Sequence, residues 1–140
     1  MALMSIEEYI KTFDLQPLEG EGGFFRRVHT LKDGSVIYYA LDEANFSFTH
    51  RLESDEVWFH LDGAAVTIIT IDSEGKEEEH TLDKSNPIVV VPAHYWQSAR
   101  TNNGAALCAT TMSPGWKEEE FTLADEAFIK NYPKTRRLVQ

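Results

Sequence analysis

The chain has 140 residues, enough for one domain with a real core and too few for two. Its 13 Lys and Arg against 23 Asp and Glu leave a net charge of −10 at pH 7. That balance argues against nucleic acid or an anionic membrane surface as partner, because phosphate-rich surfaces need a cationic face.

An anionic small molecule stays open only where Arg26, Arg27, Arg51 or Arg100 gather at a site. The first twenty residues carry Glu7, Glu8 and Asp14 and no basic segment ahead of an apolar core, and no apolar run approaches ~18 residues. Neither a secretory signal nor a membrane span is expected. The single cysteine, Cys108, has no partner within the chain and sits in an apolar run, so a cytoplasmic, reducing location is the simpler reading.

In chain order, Ser5-Ile6-Glu7-Glu8 reads as a capping box, and Ile6, Tyr9, Ile10 and Phe13 form one apolar stripe at helical spacing. So short a helix must dock on something. Residues 16–23, with Pro17 and three glycines, read as a loop. From Phe24 the sequence turns into short β-favouring runs divided by turn signals. The pattern predicts strands over 24–29, 36–41, 46–52, 56–61, 65–72, 76–82, 88–91, 96–100 and 107–112. Nine such strands mean a β-sandwich or barrel. Residues 125–131 read as a short closing helix, with Ala127, Phe128 and Tyr132 toward the sheet and Pro133 as its stop. The basic tail Lys134 to Arg137 reads as a solvated end.

The stretch from His50 to Gly63 carries the chemistry. In a strand alternate side chains share a face, so Glu56, Trp58 and His60 point one way and meet His50 of the preceding strand across one small cavity. Imidazoles, a carboxylate and an indole are costly to bury together and mark a candidate site. His50 and Glu56 also read as a buried pair that only satisfies the interior, and His60 as a core histidine facing a hydroxyl. Trp58 and Trp96 read either as ordinary core or as an aromatic wall beside Glu56 and Gln97.

His50, Glu56 and Gly63 fall on the first His, the Glu and the closing Gly of the first cupin motif, with Ala44 at the leading Gly and Leu52 at the second His. Pro92 matches the second motif, where His94 stands at a usual Gly and Gln97 at the usual His. Further matches are Gly22-Gly23-Phe24-Phe25-Arg26, residues 35–41, Val91-Pro92 with Trp96-Gln97, and Ser113-Pro114-Gly115-Trp116 with Phe121. In this order the chain resembles the cupin-5 family of small single-domain cupins. The resemblance implies an all-β double-stranded β-helix, or jelly roll, with a short helix at each end.

Cupin metal sites use three imidazoles and a carboxylate. With Leu52 and Gln97 at two of those positions, no tightly bound metal is expected, and a weak or adventitious divalent ion at His50, Glu56 and Gln97 is the alternative. Without a metal the available chemistry is proton transfer, with His50 as base, Glu56 orienting it, and Tyr39 or Tyr95 as the opposing acid. Trp58, His60, Trp96, Gln97 and Arg26 would hold the substrate. The arrangement is similar to that of the metal-free cupin epimerases of nucleotide-linked keto sugars. The expected function is therefore a metal-independent isomerase or epimerase of a carbohydrate-like small molecule. The alternatives are a non-catalytic ligand-binding cupin and a metal-dependent oxygenase or isomerase.

A homodimer is expected as well. Val57, Phe59 and Leu61 alternate with the pocket-facing residues, and both alternating sets of residues 36–41 are mostly apolar, so these strands need a second cover.

Overall fold

The computed structural model describes residues 4–114 and 117–132. The parts expected of Gly115, Trp116, Pro133 and the basic tail from Lys134 lie outside the described residues.

Helix α1 (Ile6–Phe13) begins as the capping pattern requires: the Ser5 hydroxyl accepts the Glu8 backbone N–H at 3.2 Å. Asp14, in the left-handed region at φ 54°, closes it. Its stripe of Ile6, Tyr9, Ile10 and Phe13 packs on Tyr38, Ala40, Ala105 and Leu107. The helix has no other way to keep that stripe from water.

Eleven strands follow among the described residues: β1 (Gln16–Pro17), β2 (Phe24–Leu31), β3 (Gly34–Leu41), β4 (Ser47–Leu52), β5 (Asp55–Gly63), β6 (Val66–Ile71), β7 (Glu77–Leu82), β8 (Ile88–Val91), β9 (Trp96–Thr101), β10 (Ala106–Ser113) and β11 (Phe121–Leu123). They build two antiparallel sheets, β1-β2-β3-β10-β5-β8 and β11-β4-β9-β6-β7, stacked as a jelly-roll sandwich. The nine expected strands are β2 to β10. The two additions, β1 and β11, are two and three residues long, too short to show a period of two, and each pairs at a sheet edge.

The core between the sheets joins Tyr39, Leu41 and Trp58 of one to Val66, Ile68, Leu82 and Ala99 of the other. Each large apolar side chain so buried contributes about 1.5–3 kcal/mol. No helix of the described residues is long and apolar enough to cross a membrane.

The closing helix α2 spans only Glu126–Ile129, with Asp125 as its N-cap. Contrary to expectation Ala127 is exposed. Phe128 meets the sheet, its ring 4.4 Å from that of Trp96 and 5.2 Å from that of Tyr132.

Candidate functional site

Strand pairing sets His50 of β4 opposite Gln97 of β9, while Glu56 and Trp58 come from the inner face of β5 in the other sheet. Gln97 bridges the gap. Its amide donates to Glu56 Oε1 at 3.0 Å, and its oxygen accepts the Trp58 indole N–H at 3.1 Å. An indole can only donate, so the amide has a single consistent orientation, with its NH2 toward Glu56.

His50, 1% exposed, is fixed from two sides. Its ring stacks on Phe121 at 5.4 Å, and Nδ1–H donates to the Phe48 carbonyl at 2.6 Å. In the neutral ring the lone pair then sits on Nε2, which lies 3.8 Å from Glu21 Oε1. Burial holds the imidazole pKa below its ordinary 6.5, although the Phe48 carbonyl and Glu56 pull upward.

Glu21 reaches the site from the loop between β1 and β2. Its carbonyl accepts the Phe48 N–H at 2.7 Å, and the Gly22 carbonyl accepts the Tyr39 hydroxyl at 2.6 Å. Only glycine fits at 22: φ is +94°, and a Cβ there would stand 2.1 Å from the Phe46 carbonyl oxygen.

Glu21 and Glu56 open on one cavity of about 140 Å³. Its walls are Leu18, Phe25, Ile37, Leu52 and Met112, with Ser35, Thr110 and Arg27 as the other polar groups. Burial pushes Glu21 up to about 7. Glu56 is also pushed up to about 7, first by burial and then by the charge of Glu21, against the lowering effects of His50, Thr110 and Gln97. Both carboxyls therefore hold their protons to higher pH than an exposed glutamate does.

Of the residues expected here, His50, Glu56, Gln97 and Trp58 come together, but only Glu56 faces the cavity. Three side chains lie elsewhere. Trp96 points away from Gln97, to the outer face of its sheet, between the Arg51 guanidinium (5.3 Å) and Phe128. That follows from strand alternation once Gln97 points inward. His60 bonds the Ala64 carbonyl at 2.9 Å, beside a bulge in the β5–β10 pairing. Arg26 donates to the Phe13 carbonyl and lies over the Tyr38 ring, on the outer face of β2, and it is Arg27 that lines the cavity. Tyr39 is 2% exposed with its hydroxyl committed to Gly22, and burial raises its pKa well above 10, so it holds the loop and offers no proton to the cavity. Glu21 was missed because a glycine-rich loop has no periodicity to reveal where its side chains point.

The donor set does not fit the three-His, one-carboxylate cupin metal centre. Leu52 is a cavity wall, Gln97 turns its NH2 and not its oxygen toward Glu56, and among the described residues no three His, Cys, Asp or Glu side chains are grouped to hold an ion.

A family profile described as Cupin_5, cupin superfamily (DUF985), matches residues 7–124. Among solved structures, protein SO0799 of Shewanella oneidensis is 27% identical with a TM-score of 0.87, covering 99% of both chains. A hypothetical protein from Leishmania major is 19% identical, TM-score 0.84, covering 97% of both. An oxalate decarboxylase variant of Bacillus subtilis is 12% identical, TM-score 0.68, over 87% of this chain and 33% of that one, a likeness of fold alone. No protein of curated function matches the sequence.

Proposed function

Because the chain belongs to the Cupin_5 (DUF985) family, on a fold that hosts many chemistries, we propose from its own cavity that it is a metal-independent isomerase or epimerase that moves a proton within a small molecule. The observation that carries this reading is the pair Glu21 and Glu56, two carboxyls poised near neutrality on one small, largely apolar cavity. Groups with pKa near the working pH serve best as both acid and base.

In the reaction we infer, ionised Glu56 removes a proton from a carbon beside a carbonyl, and the electron pair moves onto that carbonyl oxygen as an enolate. Protonated Glu21 gives its proton to the opposite face of the carbon, yielding the epimer, or to the oxygen, yielding an enediol from which Glu21 then takes the neighbouring hydroxyl proton while Glu56 returns its own to the former carbonyl carbon, yielding the isomer. After epimerisation Glu56 is left protonated and Glu21 ionised, and exchange with solvent restores the pair; the neutral Nε2 of His50 lies 3.8 Å behind Glu21, acts through it and does not line the cavity.

Deuterium uptake tests this. In D2O, small hydroxy-carbonyl compounds are expected to gain deuterium beside the carbonyl with the native protein, to gain none with Glu56→Gln, and to gain it more slowly with His50→Ala. Binding without any uptake would sink the catalytic reading in favour of simple ligand binding, which the recessed position of His50 would also suit. We further infer that the protein works as a homodimer, since the outer face of β5 and β8 keeps Leu61, Ile88 and Val90 about half exposed.

A further inference from the structure

The two ends of the cavity differ in charge. Glu21 and Glu56 occupy one, and Arg27, on the inward-facing side of β2 with Phe25, stands exposed at the mouth. Burial alone sets the raised pKa of Glu21, and the charges acting on Glu56 are those of Glu21 and His50. Arg27 lies three strands from Glu56 in the order β2-β3-β10-β5. Among the described residues it has no hydrogen bond or ion pair, in a chain whose net charge is −10. Its neighbour Arg26 is committed to the Phe13 carbonyl and the Tyr38 ring on the other face.

Between the two ends the walls are Leu18, Phe25, Ile37, Leu52 and Met112. A free sugar would set hydroxyls against these side chains, and each hydroxyl left unpaired costs about 1–3 kcal/mol. A guanidinium, always charged and with its donors in a planar fork, fits a carboxylate with two parallel bonds. The cavity is also smaller than the about 300–1,000 Å³ of drug-sized sites, which excludes a bulky ligand.

Resting on the proton-transfer reading above, we propose that the substrate is a short hydroxy or keto carboxylic acid with an apolar body, its carboxylate held by Arg27 at the mouth and its hydroxyl or keto end delivered to Glu21 and Glu56. Such an acid, with its single charge and apolar stem, matches the two ends and the walls better than the expected carbohydrate-like substrate.

Calorimetric titration with three probes of similar size tests this: 4-hydroxybutyrate, its uncharged amide, and erythritol. The acid is expected to bind about tenfold or more tighter than the amide, and Arg27→Gln to abolish that advantage while leaving the amide unchanged. Arg26→Gln should leave the acid unaffected. Equal binding of acid and amide, preference for erythritol, an unchanged Arg27→Gln, an equal loss in Arg26→Gln, or no binding of any probe would each overturn the proposal. Arg27-dependent binding of the acid without deuterium uptake would uphold it and refute proton transfer. Uptake into neutral keto compounds alone would do the reverse.

Discussion

The Trp58 indole dictates which end of Gln97 meets Glu56: by taking the amide oxygen at 3.1 Å it leaves the NH2 to bond the carboxylate at 3.0 Å. Gln97→Leu keeps the bulk and removes both bonds, leaving a buried donor and a buried acceptor unpaired. At about 1–3 kcal/mol for each group, urea denaturation should show a loss on the order of 2–5 kcal/mol. An unchanged midpoint would mean that these bonds carry no net stability.

Glu21 should make stability depend on pH. Its pKa is about 7 in the fold against an ordinary 4.5. A carboxyl raised on folding contributes fully below the unfolded value, and that contribution is lost as pH climbs through 4.5 toward 7. Glu21→Gln should therefore match the native protein below about pH 4.5 and exceed it at pH 8 by on the order of 2 kcal/mol. His50, whose pKa is lowered, acts in the opposite direction below its ordinary 6.5, but it does so in both proteins. Parallel melting curves across that range would contradict the buried position of Glu21.

Two glycines of one loop should answer differently to alanine. At Gly20 (φ +81°) an added Cβ meets nothing within 4 Å, so only left-handed backbone strain of about 1 kcal/mol is expected. At Gly22 the Cβ would collide with the Phe46 carbonyl, and the loop must move. Gly22→Ala should cost roughly 3 kcal/mol or more and abolish ligand binding, while Gly20→Ala retains it. Thermal melts with a titration on each variant settle the matter.

How much of this was legible before the structure varies with the kind of signal. Strands from Phe24 to Met112 announced themselves because one buried face imposes a period of two, and the Ser5 cap because its partner lies three residues on. His94, standing where the cupin motif has Gly, does adopt φ +72°. Parity was harder to read. Trp96 and Gln97 are adjacent, as are Arg26 and Arg27, and placing both tryptophans at the site ignored the rule that neighbours in a strand face apart. The bulge between Arg27 and His29 further blurs the count along β2. Glu21 lay beyond any periodic signal, since its place depends on glycine backbone angles and on a bond to Phe48, twenty-seven residues along the numbering.

Elemental analysis of protein purified without chelator should find well under one equivalent of any transition metal. Leu52 removes one imidazole and the orientation of Gln97 removes another donor. A stoichiometric metal whose chelation destroys binding would overturn the metal-independent reading.

Sedimentation at micromolar concentration should show a dimer. Helix α1 covers the outer face only around Tyr38, Ala40 and Leu107, whereas Ile88 and Val90 on edge strand β8 remain 53% and 54% exposed. Ile88→Lys should yield a monomer, because a desolvated ammonium has no partner there. A native monomer of undiminished thermal stability would show that this face needs no cover.

The loop bearing Glu21 is tied to the sandwich through two carbonyls, that of Glu21 on Phe48 and that of Gly22 on Tyr39. At a net worth near 1 kcal/mol each, these two bonds hold the loop by about 2 kcal/mol, beside the packing of Leu18 and Phe25 on the core. The place of the Glu21 carboxyl in the cavity thus hangs on backbone contacts to one strand of each sheet, β4 and β3.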